Sequence, residues 1–167
     1  AHRAGIVHRD LKPANLFVAR GAGNIGLVKV LDFGISKLVG PDSNETESTT
    51  GEGFVGSPPY MSPEQLTDPA RIDSRTDIWS IGVILYECLR GKAPFKAEAV
   101  GQVLALILQG RPPAVSDLRP EVPLALAKII ERCMAKERDA RYPDVVSLSR
   151  ELASHGTDRG RRALTVI

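Results

Sequence analysis

The sequence predicts a mainly α-helical domain that begins with short strands and polar loops. Up to about residue 72 the apolar runs are brief and are broken by Gly and Pro, which favours strands and loops. Beyond that point the apolar residues recur at the spacing of helices. The chain has 167 residues, 43% of them apolar, and a net charge of +2. These values exclude a disordered chain and predict one domain with a buried core.

Three brief strands are predicted in the first third of the chain, at residues 5–7, 16–18 and 27–31. Residues 41–53 then carry four acidic side chains and no Val, Ile, Leu or aromatic residue. That composition is typical of an exposed loop. The first third is therefore expected to present polar groups from loops between small strands.

The helical part is centred on residues 78–89, which are apolar nearly all round and predict a helix inside the core. Ser74 and Asp77 resemble a capping box at its start, with Asp in place of the usual Glu or Gln. Apolar stripes predict three more helices, at residues 100–108, 126–134 and 145–152. Gly110 ends the first of these, and a proline opens each of the other two.

Charge and hydropathy narrow the classes of partner. The near-neutral charge provides no general basic face for nucleic acid. The arginines in 156–167 predict a basic tail or linker that follows a domain at 1–155. No apolar run approaches the roughly 18 residues that span a membrane.

Cys88 and Cys133 are predicted to be buried thiols in a reducing, cytoplasmic setting. Because residue 1 is Ala with no signal-peptide pattern behind it, we expect the chain to be part of a longer protein.

Candidate catalytic residues lie in the loops between the first strands. Residues 8–15 read HRDLKPAN, in which Asp10 and Asn15 offer oxygen ligands and Lys12 offers a positive charge. Asp32 follows directly after a predicted apolar strand. A carboxylate and an amide oxygen on neighbouring loop ends suit Mg²⁺, which takes one or two protein oxygens together with phosphate oxygens and water. A metal, a lysine and a second carboxylate predict a site that handles phosphate.

These motifs resemble those of the eukaryotic-type (Hanks-type) serine/threonine protein kinases, and particularly their bacterial members. Residues 8–15 match the pattern H-R-D-L-x-x-x-N, residues 32–34 match D-F-G, and residues 62–64 read S-P-E where A-P-E is usual. The resemblance implies the mainly α-helical C-terminal lobe of a protein kinase. In that lobe short β-hairpins carry the catalytic loop and D-F-G, and the N-terminal β lobe is absent from the 167 residues.

The resemblance also implies roles for individual residues. Asp10 is expected to accept the proton of the attacking hydroxyl and Lys12 to steady the transferring phosphate. The Mg²⁺ ions that bridge the phosphates of ATP are expected on Asn15 and Asp32. The candidates for the lower wall of the adenine pocket are Phe17 and Leu31. Lysine two positions after the catalytic Asp is similar to the branch whose protein substrates accept phosphate on Ser or Thr.

Further residues are expected to support the site. Ser57 and Pro58 resemble the substrate-facing loop, and Ser57 is expected to hydrogen-bond toward Asp10 and Lys12. The structural residues implied are a packed histidine, a brace for the catalytic-loop amides and an ion pair under the substrate loop: His8, Asp77, and Glu64 with Arg141. The resemblance also implies activation by phosphorylation of Thr49 or Thr50, with the phosphate held by Arg9 and Lys37.

Some alternatives stay open at this point. Residues 21–28 match G-x-G-x-x-G-x-V, but they follow the catalytic loop and continue into a strand, so a glycine-rich hairpin turn is favoured over a nucleotide loop. A pseudokinase or truncated scaffold is the alternative to an enzyme. Dimerisation of the parent protein for trans-autophosphorylation and its anchoring to a membrane are both compatible with the resemblance. The 167-residue chain alone is expected to be inactive, because the family's Gly-rich loop, strand lysine and most of its adenine pocket precede these residues.

Overall fold

The computed structural model describes residues 1–20, 26–32 and 57–155. In these ranges the chain is mainly helical, with one antiparallel pair of strands, so the predicted predominance of helix is confirmed. The strands are β1 (Leu16–Arg20) and β2 (Gly26–Val30). The helices are α1 (Pro63–Thr67), α2 (Ser74–Arg90), α3 (Val100–Gln109), α4 (Val115–Leu118), α5 (Leu124–Cys133) and α6 (Val145–His155). Short 3-10 turns occupy His2–Ala4, Pro13–Asn15, Pro58–Tyr60, Pro69–Arg71 and Arg138–Ala140.

The strands predicted at 16–18 and 27–31 are confirmed as the cores of β1 and β2, which pair with Leu16 opposite Val30 and Arg20 opposite Gly26. The strand predicted at 5–7 is wrong. Gly5 adopts φ 73°, and its N–H closes the preceding turn by donating to the carbonyl of His2. The N–H of Ile6 donates to the carbonyl of Ala1, so these backbone groups serve the turn instead of a sheet. Of the glycine-rich motif at 21–28, residues 21–25 lie outside the described residues.

Helix α2 lies at the centre of the helical part, as its apolar sequence predicts. Its side chains enter three buried clusters that point in different directions from the helix axis. The first cluster is Ile78, Ile129, Cys133, Tyr142 and Leu148; the second is Trp79, Val83, Phe95, Val103 and Ile107; the third is Tyr86, Val115, Val122, Ala127 and Ile130. Helices α3 to α6 therefore surround α2 and hold its N-terminal end in place.

The start of α2 differs from the predicted capping box. Asp73 is the N-cap, and its carboxylate accepts the N–H of Arg75 at 2.9 Å. The box predicted from Ser74 and Asp77 is wrong, because the N-cap is Asp73 and the Asp77 carboxylate accepts the backbone N–H groups of His8 and Arg9. At the other end, Gly91 takes φ 73° and donates its N–H to the carbonyl of Glu87, which closes the helix.

The two cysteines differ in environment. Cys133 is fully buried, and desolvation raises the pKa of its thiol to about 12. Cys88 is exposed, so the prediction that both thiols are buried is wrong for this residue. Cys88 lies on the same side of α2 as Ile81 and Leu85, and the surrounding helices cover this side only partly. None of the helices in the described part of the chain is both long and apolar enough to cross a membrane.

Candidate active site

The candidate catalytic loop, residues 8–15, is attached to α2 through its backbone. The Asp77 carboxylate, at the start of α2, accepts the N–H of His8 at 2.8 Å and the N–H of Arg9 at 2.9 Å. It also contacts Nε2 of His2 at 2.7 Å. Arg9 has φ 66°, a left-handed conformation that costs a non-glycine residue about 1–3 kcal/mol. Charged hydrogen bonds from a buried carboxylate are strong enough to hold the loop in this conformation.

His8 connects the catalytic loop with the end of β2. Its buried ring accepts the N–H of Asp10 on Nδ1, at 3.3 Å, and its Nε2 lies 3.1 Å from the carbonyl of Leu31. A carbonyl can only accept, so this arrangement assigns the ring proton to Nε2. Because Leu31 immediately precedes Asp32, His8 relates the positions of the two candidate carboxylates.

Three candidate residues of the loop lie together. Nζ of Lys12 lies 2.9 Å from Oδ2 of Asp10, and both side chains are only partly exposed. The buried Asn15 donates from Nδ2 to the backbone carbonyl of Asp10 at 3.0 Å. That hydrogen bond fixes the amide so that its oxygen is the end left for a ligand.

The β1–β2 hairpin brings Asn15 and Asp32 to the same end of the sheet. The pairing extends one step beyond the strands, where the N–H of Leu31 donates to the carbonyl of Asn15 at 2.8 Å. Asp32 comes next, is exposed, and has φ 53°. Asp32 thus directly follows the residue that pairs with Asn15, because the strands between them pair antiparallel.

The donor set fits a hard cation shared with phosphate. It consists of one carboxylate and one amide oxygen, which is what Mg²⁺ takes from a protein when phosphate oxygens and water complete its shell. No group of three or more His, Cys, Asp or Glu side chains suited to a metal occurs in the described ranges. A site for a metal enclosed entirely by protein is therefore not found in that part of the chain.

An apolar surface lies beside these polar groups. Phe17 and Leu31 lie on the same face of the hairpin as Asn15, by the strand register, and their exposures are 57% and 46%. Apolar side chains of this size that are exposed together indicate a surface for a ligand or for further protein. A flat aromatic or purine ring matches such a surface chemically.

A buried ion pair joins Glu64 of α1 to Arg141, which follows the 3-10 turn Arg138–Ala140. Nη1 and Nη2 of Arg141 each donate to one oxygen of Glu64 at 2.8 Å, and the Thr76 hydroxyl donates to the same carboxylate. Burial acts to raise the pKa of Glu64, but the hydrogen bonds and charge of Arg141, with backbone and Thr76 hydrogen bonds, outweigh it and lower the pKa. The pair is therefore fully ionised at neutral pH.

The structure describes only some of the other predicted site residues. Ser57 and Pro58 begin the 3-10 turn before α1, and the Ser57 carbonyl accepts the N–H of Tyr60. The hydrogen bond expected from Ser57 toward Asp10 and Lys12 stays a prediction. Phe33 and Gly34 of the D-F-G motif, Lys37, Thr49 and Thr50 lie outside the described residues, as does the tail at 156–167.

Two contacts at the site were not predicted from the sequence. Gln65 donates from Nε2 to the carbonyl of Arg9 at 2.8 Å, and His2 contacts Asp77. The spacing of Ser62 and Gln65 is that of a capping box, so the sequence carried a signal for Gln65 at the start of α1. No local pattern indicates that its amide reaches the catalytic loop, because 56 residues separate the two partners.

Comparison with known proteins agrees with this geometry. The family model described as "Protein kinase domain" matches residues 1–152. Serine/threonine-protein kinase Pkn1 of Myxococcus xanthus is 41% identical over 91% of this chain, which corresponds to 21% of that protein. A probable serine/threonine-protein kinase of Clostridium acetobutylicum is 39% identical over 92% of the chain and 22% of that protein.

A third relative, serine/threonine-protein kinase pkn3 of Myxococcus xanthus, is 35% identical over 96% of the chain and 30% of that protein. The chain thus spans less than a third of the length of these bacterial relatives. The family match covers nearly all of its residues, and the kinase-like loop lies between the hairpin and the central helix. The chain therefore belongs to the protein kinase domain family, on the branch of the bacterial Hanks-type serine/threonine kinases.

Proposed function

We propose that the protein containing this chain is a serine/threonine protein kinase, and that residues 1–155 form the C-terminal lobe of its kinase domain, followed by a tail at 156–167. The observation that carries the proposal is the juxtaposition at one end of the hairpin. Asn15 and Asp32 are adjacent there through strand pairing, and Asn15 holds the backbone of Asp10. One carboxylate for proton transfer and two oxygen ligands for metal are what phosphoryl transfer from ATP requires.

Each polar side chain has one task in this reaction. The acceptor Ser or Thr oxygen bonds to the γ-phosphorus, the bond to the leaving ADP oxygen breaks, and the hydroxyl proton passes to Asp10. Lys12, 2.9 Å from Asp10, supplies positive charge beside the transferring group. Asn15 and Asp32 would hold Mg²⁺. When bound, magnesium neutralises charge on the phosphates and orients them.

The adenine of ATP rests on the apolar face of the hairpin. Phe17 and Leu31 form the lower wall of its pocket, and their exposure supports this role. The upper wall and the remaining phosphate contacts come from a second lobe outside residues 1–155. Proximity and charge stabilisation provide most of the catalysis of phosphoryl transfer, so both lobes are needed for turnover.

The acceptor is a hydroxyl of a protein substrate. Lys12 follows Asp10 by two residues, as in the serine/threonine branch, and Ser57 and Pro58 start the turn that faces the acceptor. Glu64 belongs to α1, the helix that follows this turn, and its ion pair with Arg141 anchors that helix. Activity depends on phosphorylation of Thr49 or Thr50, and Arg9 and Lys37 bind the resulting phosphate. One copy of the protein transfers this phosphate to a second copy.

A magnesium titration of the full-length protein tests this function. Phosphate transfer from ATP to a peptide with Ser and Thr acceptors is measured for the wild type, Asp32→Asn and Asp117→Asn. Losing a metal-binding carboxylate lowers the rate at limiting Mg²⁺ by roughly a hundredfold or more, and excess Mg²⁺ partly restores it. Asp117 is exposed on α4 and serves as the matched control. An Asp32→Asn protein with the wild-type magnesium dependence contradicts the proposed site.

A further inference from the structure

The peptide group between Arg9 and Asp10 is held at both of its polar ends. Its carbonyl accepts a hydrogen bond from Nε2 of Gln65 at 2.8 Å. Its N–H donates to Nδ1 of His8 at 3.3 Å. Arg9 itself has φ 66°, and its own N–H is held by Asp77 at 2.9 Å. The orientation of this peptide determines the position of the Cα atom of Asp10. The groups that hold the peptide therefore also orient the side chain of Asp10, the candidate base.

Gln65 reaches the loop from a rigid support. Its Oε1 accepts the N–H of Ser62 at 3.0 Å and lies 3.3 Å from the Ser62 hydroxyl, which fixes its side chain at the start of α1. The preceding residue, Glu64, is anchored by two hydrogen bonds from Arg141. Both ends of the Gln65 amide are therefore in use: the oxygen caps α1, and the nitrogen holds the catalytic loop.

We propose that Gln65 is a positioning residue that couples the substrate-facing turn to the catalytic loop and thereby orients Asp10. The inference rests on the proposed kinase function and goes beyond it, because Gln65 acts through the Arg9–Asp10 peptide and touches neither ATP nor the acceptor. A displacement of the start of α1, which follows the substrate-facing turn, is transmitted to the Arg9–Asp10 peptide through this amide group.

The chemistry of the contact requires an amide. A glutamate at position 65 still accepts the hydrogen bonds of Ser62, so it preserves the cap of α1. It has no N–H to donate, and its carboxylate faces the carbonyl of Arg9, which turns an attraction into a repulsion. A methionine of similar length loses the donor and also the Gln65 half of the capping box, while the Ser62 side chain still accepts the backbone N–H of residue 65. Comparison of Gln65→Glu with Gln65→Met thus separates the contribution of Gln65 to the start of α1 from its hydrogen bond to the catalytic loop.

The experiment compares Gln65→Glu, Gln65→Met and Gln102→Glu in the full-length protein. Gln102 is exposed on α3 and controls for the added negative charge. Steady-state kinetics give kcat and KM for ATP and for a Ser/Thr peptide, and thermal unfolding gives Tm. Both Gln65 variants lower kcat by roughly ten- to a hundredfold with the KM for ATP little changed, since a small displacement of a catalytic group has effects of this size. Only Gln65→Met also loses the hydrogen bond from the Ser62 N–H to the side chain of residue 65, and it is expected to lower Tm.

Two results overturn the proposal. One is a Gln65→Glu protein with wild-type kcat. The other is a kcat that follows Tm across the variants, since that pattern belongs to a residue that only stabilises the fold.

Amide hydrogen exchange of residues 9–11 separates this inference from the proposed function. The exchange of this segment is faster in Gln65→Glu than in the wild type if Gln65 holds the loop, whether or not the protein transfers phosphate. An inactive wild type contradicts the kinase proposal. Unchanged exchange in Gln65→Glu contradicts the positioning role even in an active enzyme.

Discussion

Arg9 and Asp32 are the two non-glycine residues in the described ranges that adopt positive φ, at 66° and 53°. Both belong to the candidate site. Backbone strain of this kind persists only where surrounding contacts determine the conformation. Arg9 is held by Asp77 and Gln65, and the residue before Asp32 is held by Asn15 and His8. The strained residues are therefore fixed by partners on α2, α1 and the hairpin.

The ion pair of Glu64 and Arg141 leads to a prediction on pH. The folded-state pKa of Glu64 is below its ordinary value of 4.5, so its stabilising contribution is fully present above pH 4.5 and is lost as pH falls through the folded pKa. At pH 7 we expect Glu64→Gln to lower the free energy of unfolding by about 3–5 kcal/mol, because it leaves a buried guanidinium unpaired. Denaturant unfolding of the chain, followed by the fluorescence of Trp79, its single tryptophan, measures this.

The gap in stability between the wild type and Glu64→Gln is then expected to narrow below pH 4.5, since protonation makes the wild type resemble the variant. A gap that stays constant down to pH 3 is incompatible with an ionised Glu64 as the source of the stability.

The spacing of the motifs predicts most of the candidate residues. It predicts few of the contacts that hold these residues in position. Asp10, Lys12 and Asn15 form one short sequence motif, and the structure brings them together. The contacts of Gln65 with Arg9 and of His2 with Asp77 join residues 56 and 75 positions apart. Such contacts depend on the tertiary arrangement of α1 and α2, which no local pattern encodes.

At the scale of elements, the packing of α2 on α5 depends on a glycine. Gly82 is buried in the middle of α2, where glycine lowers the stability of a helix by about 1 kcal/mol relative to alanine. A Cβ at this position lies 2.6 Å from Cβ of Cys133 on α5, closer than two carbon atoms can approach. The absence of a side chain therefore lets the two helices come together around the first buried cluster.

Two matched substitutions test this packing. Gly82→Ala is expected to lower the free energy of unfolding by about 1–3 kcal/mol, because the backbones must separate to admit the methyl group. Gly101→Ala on α3, where a Cβ meets nothing within 4 Å, is expected to leave stability unchanged or to raise it by up to about 1 kcal/mol. The Trp79 unfolding assay compares both with the wild type. If Gly82→Ala proves as stable as Gly101→Ala, the close approach is not required.

The periodicity of apolar residues predicts which helices form, but it does not predict where the elements end or what surrounds them. The apolar stripes predict α2, α3, α5 and α6, because burial of one face dominates the choice of apolar residues. The strand predicted at 5–7 is wrong since a turn uses its backbone groups. The environment of Cys88 depends on which sides of α2 its neighbours cover, and the sequence of α2 alone does not contain that information.

At the scale of the whole molecule, the hairpin stands out because large apolar side chains are exposed on both of its faces. Phe17 and Leu31 are exposed on one face, and Val18 and Val28 are 64% and 54% exposed on the other. A two-stranded hairpin is marginally stable by itself. Apolar side chains on both faces indicate that other groups cover it, and ATP with a second lobe satisfies this requirement in the proposed enzyme.

In the proposed enzyme, Asp10 lies between α2 and the hairpin and directs phosphate transfer to a hydroxyl. The most direct measurement is the initial rate of transfer from Mg-ATP to a Ser/Thr peptide by the full-length wild type, by Asp10→Asn and by the control Asp117→Asn. The wild type and the control are expected to transfer phosphate to Ser or Thr. Asp10→Asn is expected to be slower by roughly 10²–10⁴-fold, and residues 1–167 alone are expected to show no transfer. An Asp10→Asn protein as active as the wild type, or a wild type that transfers no phosphate, contradicts the account.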